Sequence, residues 1–219
     1  MVTLLYDVSV VGIHFVVHSL PVVVPVACLA FLAAALRLRR LGAMTGARLA
    51  SSAVICVYGA GVLNAVLLPF AIVVGSARDD LASWRVFVNL VPVSTALQDP
   101  IGIVLNAALF VPLGMILPLV LRPPTAWRVL TVGFFISLAI ELVQLLADVT
   151  VSSGRIADVD DLLGNTAGVL IGCLLFRIVM CLPGADRAAA AVRWPSSRTA
   201  DAGDSSRVIT AACIRGSGS

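Results

Sequence analysis

Lysine is absent from this 219-residue sequence, glutamate occurs once, and charged residues together make up 12% of it. Soluble globular domains carry roughly 25%. With so few charges the chain cannot cover a water-facing surface, which excludes the ordinary soluble classes. The 15 basic residues, all Arg, are scattered between apolar runs rather than gathered on one face. That excludes the electrostatic footprint of a nucleic-acid-binding protein. Cys28, Cys56, Cys173, Cys181 and Cys213 form no CxxC pair, so neither a disulfide frame nor a structural zinc site is expected. No basic segment precedes the first apolar run, which reads as a retained span rather than a signal peptide. Nor is there an internal repeat of fixed period, as inverted-repeat transporters have.

What is present is apolar length. The composition is 60% hydrophobic, with a mean hydropathy of +1.06. Uncharged runs over 8–36, 49–77 and 100–121 each exceed the ~20 residues that cross a hydrocarbon core. A fourth run, 129–147, is interrupted only by Glu141, and a fifth extends from about Asp160 past Arg177 to Cys181. These predict an all-α membrane protein with five transmembrane helices. Arg37, Arg39, Arg40 and Arg48 lie between the first two runs, and Arg122 and Arg128 between the third and fourth, without acids. By the positive-inside rule those loops are cytoplasmic and the chain is N-out/C-in. The segment 81–98, with Trp84 and Phe87 beside an Arg, reads as interfacial. The expected domains are an N-terminal span with its Arg-rich loop over 1–48, a membrane domain over 49–183, and a disordered cytoplasmic tail over 184–219.

Polar residues inside spans are costly, about 2.5–3.5 kcal/mol for a central charge on insertion scales, and mark functional positions. Glu141 shares one helical face with Ser137, Gln144 and Asp148. Asp158, Asp161, Asn165, Gly168 and Gly172 form a second stripe at spacings of three and four. On the expected topology Asn106, Glu141 and Asn165 lie at one depth in the outer leaflet, roughly 8–10 Å from the exterior surface at 1.5 Å per residue. Gly168xxxGly172 is a small-residue packing motif, and Pro112 removes an amide near Asn106. Within the triple-aspartate run DVDD, one acid is expected to cap the fifth helix and the others to face a shared polar pocket. Asp158 and Asp161 are also hard oxygen donors of the kind Mg²⁺ takes; the sequence secures no third ligand, and no metal is assigned. His14 and His18, spaced i, i+4 in the first run, are read as interfacial packing. Ser137 lacks the GxSxG context and His partner of a nucleophile.

NLVPV (89–93), NAALFVPLG (106–114), SLAIELVQ (137–144) and GRIADVDDLLGNTAGVLIG (154–172) together resemble the VanZ-like family of bacterial membrane proteins. The resemblance covers roughly residues 85–180. It implies a compact helical domain in the bacterial plasma membrane, an association with tolerance of the glycopeptide teicoplanin, and action on lipid or lipid-linked head groups. Carried over by motif position, the polar set is Asn106, Ser137, Glu141, Gln144, Arg155, Asp158, Asp161 and Asn165. Glu141, Asp158 and Asp161 are the expected acid/base residues; Asn106, Ser137, Gln144, Arg155 and Asn165 are the expected binding residues. The expected partner is a membrane lipid or lipid-linked envelope precursor, and no cofactor is specified. Two other classes stay open, a non-catalytic module that binds or remodels the envelope and a small transporter. The apolar inner halves of the spans weigh against the transporter.

Overall fold

Proline and β-branched residues set where the apolar runs stop being helix. The computed structural model describes residues 2–7, 12–17, 20–67, 70–75, 88–151 and 157–195. Strands β1 (Val2–Asp7) and β2 (Gly12–Val17) precede helix α1 (Leu20–Arg40), which is followed by α2 (Gly46–Leu67) and β3 (Phe70–Gly75). Next come β4 (Val88–Asn89), the short α3 (Ser94–Gln98), α4 (Pro100–Val120) and α5 (Ala126–Val151). The last described elements are β5 (Ala157–Asp158), α6 (Val159–Met180) and α7 (Ala185–Val192).

Five of these helices, α1, α2, α4, α5 and α6, are long and apolar enough to cross a membrane. Two expected boundaries need correction. The first span begins at Leu20, not residue 8, because Gly12–Val17 pairs antiparallel with both β1 and β3. The second ends at Leu67, two residues before Pro69; a residue before proline is pushed out of the α region. The β-branched run Ile72-Val73-Val74 then continues as strand. His14 therefore sits in β2, opposite Leu5 and Val73, and not on a helix. His18, Trp84, Phe87 and Arg155 lie outside the described residues.

Helix α6 is the axis of the bundle. It buries Asp160, Gly164, Asn165, Gly168, Val169, Gly172 and Cys173, and its contact with α4 is the most extensive in the molecule. Glycines permit that approach. A Cβ at Gly168 would lie 2.1 Å from the Ala107 carbonyl oxygen, and one at Gly172 would lie 2.0 Å from that of Val111. The stripe of small residues is thus pressed backbone to backbone against α4. Phe110, Leu117, Val129, Val169 and Cys173 fill the core between α4, α5 and α6. The outer faces stay apolar, with Leu29, Val57, Leu105 and Phe135 exposed, as a hydrocarbon solvent requires.

Chain direction sorts the helix ends into two faces. The C-termini of α2 and α5 meet the N-termini of α4 and α6 at one face. The other face gathers the C-termini of α1, α4 and α6 with the N-termini of α2 and α5. Residues 185–192, placed by composition in a disordered tail, instead form α7, which packs on α2 and α6 at this second face. The segment begins at Gly184 with φ of 83°, a left-handed turn that glycine adopts without strain. The remainder of the tail, from 196, is outside the described residues.

Candidate functional site

Polar side chains converge where α6 begins. Asp158 is the N-cap of α6, and its Oδ1 accepts from the Asp160 backbone N–H at 2.8 Å. Its Oδ2 accepts from Asn89 Nδ2 at 3.1 Å and from the Thr95 hydroxyl. β4 and β5 place these groups together, pairing Asn89 with Asp158 in parallel register. Asn89 Nδ2 also reaches Ser94 Oγ at 2.8 Å and Thr95 Oγ1 at 2.9 Å. Both Asp158 oxygens are thus committed within the fold.

Asp160 is committed as well. It is 3% exposed, and its carboxylate accepts from the backbone N–H groups of Val93 at 2.6 Å and Thr95 at 2.9 Å. Val93 has φ of 69°, a left-handed conformation that a β-branched residue adopts at a cost of order 1–3 kcal/mol. The Asp160 carboxylate holds that conformation in place and satisfies donors at the start of α3. Asp160 therefore clamps the NLVPVST turn onto α6.

The remaining polar groups face one another across α4, α5 and α6. Asn106 Nδ2 donates to Asp161 Oδ1 at 2.7 Å. Asn165 Nδ2 donates to Ser137 Oγ at 3.0 Å. The Glu141 carboxylate accepts from the Asp158 N–H at 3.1 Å, with the Asp161 and Asp158 carboxylates within electrostatic range. Gln144 Nε2 donates to the Val66 carbonyl at 3.0 Å, tying α5 to the end of α2. On α4, the Leu109 carbonyl, three residues before Pro112, accepts from Tyr58 Oη at 2.8 Å. Two acceptors are left over: Asn165 Oδ1 and Gln144 Oε1 are buried and have no hydrogen-bond partner among the described residues.

Seven of the eight residues expected from sequence occupy this cluster or its margin; Arg155 is the one outside the described residues. Asn106 meets Asp161, and Asn165 meets Ser137. Asn89, Thr95 and Asp160 were missed as site residues, although NLVPV and the DVDD run were both noted in the sequence. A proline turn preceded by Asn and followed by Ser-Thr is a recognisable Asx/ST signature, but its partner lies more than 60 residues away. Among the described residues no three His, Cys, Asp or Glu are grouped as metal ligands.

A family model described as VanZ/LLP1 matches residues 55–180, more than half of the chain and all of the polar cluster. The chain belongs to the VanZ/LLP1 family. No curated protein and no solved structure matches it. The VanZ/LLP1 region starts within α2 and ends with α6, so α1 and α7 lie outside it.

Proposed function

We propose that this VanZ/LLP1 protein binds the head group of a lipid or lipid-linked envelope precursor at the polar cluster, in the outer leaflet of the bacterial plasma membrane. The observation that carries the reading is the excess of acceptors. Among the described residues Glu141 and Asp161 each accept one hydrogen bond, and Asn165 Oδ1 and Gln144 Oε1 accept none. Buried acceptors without donors are costly, about 1–3 kcal/mol each. A ligand rich in donors, such as sugar hydroxyls or an ammonium group, would satisfy them. An apolar cavity of about 530 Å³ is lined by Tyr58, Leu63, Phe110, Ile136, Ile140 and Val143, on α2 and on α4 and α5, two of the helices that carry the cluster. It suits an acyl or prenyl chain attached to that head group. N-out/C-in topology is supported by the Arg-bearing loops, which would put the cluster outside.

In the enzymatic form of this proposal, Glu141 and Asp161 move protons on the bound head group. Asp158 positions both, capping α6 and donating its N–H to Glu141. A non-catalytic binding module is the second reading, favoured by the commitment of Asp158 and Asp160 to the fold. The domain over 49–183 would carry either activity. The test is teicoplanin susceptibility in a sensitive bacterial host expressing wild type, Glu141→Gln or Asp161→Asn at matched membrane abundance. Protection by wild type and loss in both variants supports a working pocket. A new lipid species made only by wild type then supports the enzyme. Equal protection by wild type and variants rejects the pocket, and no protection by wild type rejects the teicoplanin link.

A further inference from the structure

Three oxygens of the polar cluster carry no hydrogen bond among the described residues. Glu141 is bonded through Oε2 and Asp161 through Oδ1, which leaves Glu141 Oε1 and Asp161 Oδ2. The third is Asn165 Oδ1, on a residue only 4% exposed. All three belong to one column between α5 and α6. Asn165 follows Asp161 by one turn of α6, and Ser137, which accepts from Asn165 Nδ2, precedes Glu141 by one turn of α5. Four residues of helix rise about 6 Å, so the Asn165 amide sits a single turn deeper than the two acids. Asp161 is half-buried and forms the opening, with Glu141 and Asn165 buried behind it.

The donors already in place on the two acids are neutral. Glu141 takes the Asp158 backbone N–H and Asp161 takes the Asn106 amide, and neither brings positive charge to a carboxylate inside a span, where charge is expensive. The side-chain amides are anchored within the fold, Asn106 on Asp161, Asn165 on Ser137 and Gln144 on the Val66 carbonyl. What the column offers a ligand is therefore acceptors. A phosphate or carboxylate has no donor and is repelled by the acids. A sugar hydroxyl brings one donor, two lone pairs and no charge. A primary ammonium brings three donors, no lone pair and a unit charge, which matches three oxygens of which two are carboxylate. Choline carries the charge without an N–H and is recognised by aromatic faces, so these oxygens do not select it.

We propose that Glu141 Oε1, Asp161 Oδ2 and Asn165 Oδ1 form a primary-ammonium site, of a kind that takes the amine of a phosphatidylethanolamine head group. The inference rests on the head-group reading of the cluster and narrows it to one chemistry. Ile136, Ile140 and Val143 of the apolar cavity immediately precede Ser137, Glu141 and Gln144. Cavity and cluster thus lie on faces of α5 about 100° apart, which suits a ligand with an amine at one end and an apolar chain at the other.

The full-length protein is reconstituted in phosphatidylcholine nanodiscs doped equally with phosphatidylethanolamine, its N-methyl and N,N-dimethyl derivatives, and phosphatidylglycerol. Lipids that stay bound on release from the disc are counted by native mass spectrometry. Methylation removes N–H donors one at a time at constant charge. Retention is expected to fall with each methyl, to about tenfold less for phosphatidylcholine than for phosphatidylethanolamine. Glu141→Gln and Asp161→Asn are expected to abolish the preference, and Asp99→Asn, at the exposed cap of α4 on the same face, to keep it. The methylation series is run on wild type and carries the test if a variant does not fold. In a second arm, a rise in thermal midpoint with free ethanolamine that needs both acids supports the site, and without a lipid preference it assigns a soluble amine as the ligand. Retention of phosphatidylglycerol over phosphatidylethanolamine, lost in both acid variants, overturns the ammonium site and leaves the head-group reading standing. Retention that ignores both acid variants overturns the two together. Equal retention across the methylation series with no response to ethanolamine, or an equal loss in Asp99→Asn, overturns the proposal.

Discussion

Glu141, from the middle of the molecule's longest helix, accepts a hydrogen bond from the backbone N–H of Asp158, the residue that caps α6. One carboxylate thereby satisfies an orphan donor at a neighbouring helix start, while the cap's own side chain turns toward Asn89 and Thr95. The junction between α5 and α6 is held by an acid that no span would carry at random.

Replacement of Glu141 separates charge from hydrogen bonding. Glu141→Gln keeps an acceptor for the Asp158 N–H, and is expected to leave membrane abundance and thermal midpoint near wild type. Glu141→Leu leaves that N–H unpaired and should cost about 1–3 kcal/mol. Detergent-solubilised thermal melts of the two variants check this. Equal melting of Gln and Leu variants would show that the bond contributes nothing to the fold.

Asp160 and Val93 form a strain pair. Asp160→Ala removes the acceptor that holds the Val93 and Thr95 N–H groups, and is expected to lower stability by about 1–3 kcal/mol. Val93→Gly suits the left-handed backbone and should recover part of that loss in the double variant. The measurement is a double-mutant cycle of melting midpoints. A purely additive result would mean that Asp160 does not hold the turn.

Topology is checked at Cys181, exposed just past the end of α6 on the Arg-rich face. With the other four cysteines changed to Ser or Ala, a membrane-impermeant maleimide should label Cys181 in inside-out vesicles and leave it untouched in intact cells. The reverse pattern would invert the chain and move the polar cluster to the cytoplasmic side.

Much of this architecture was legible because hydrophobic length and costly polar residues are local signals. Spans three and five fell within about two residues of α4 and α6, and the stripe from Asp158 to Gly172 pointed inward as its spacing required. The strands were not legible, since FAIVVG reads equally as the tail of a long apolar helix until Pro69 is weighed. Pairing was also hidden. Asn106 and Asp161 are 55 residues apart, and spacing within each helix says nothing about which turn of its neighbour it will meet. The docking of α7 escaped for the opposite reason, because a polar, small-residue composition masked a short helix held by the Trp194 backbone N–H on Leu119 and by buried Ala189 and Pro195.

The backbone contact between α4 and α6 has a mechanical consequence. Side chains can change rotamer and let helices slide, but carbonyl oxygens pressed against glycine Cα atoms at Gly168 and Gly172 leave nothing to rearrange. These two helices form a keel. α5 instead leans on the keel through side chains, among them Ser137, Glu141 and the aliphatic residues of the core. Of the helices around the cluster, α5 is therefore the one whose seat on the keel can be altered by changing side chains alone, Gln144 tying it to the end of α2.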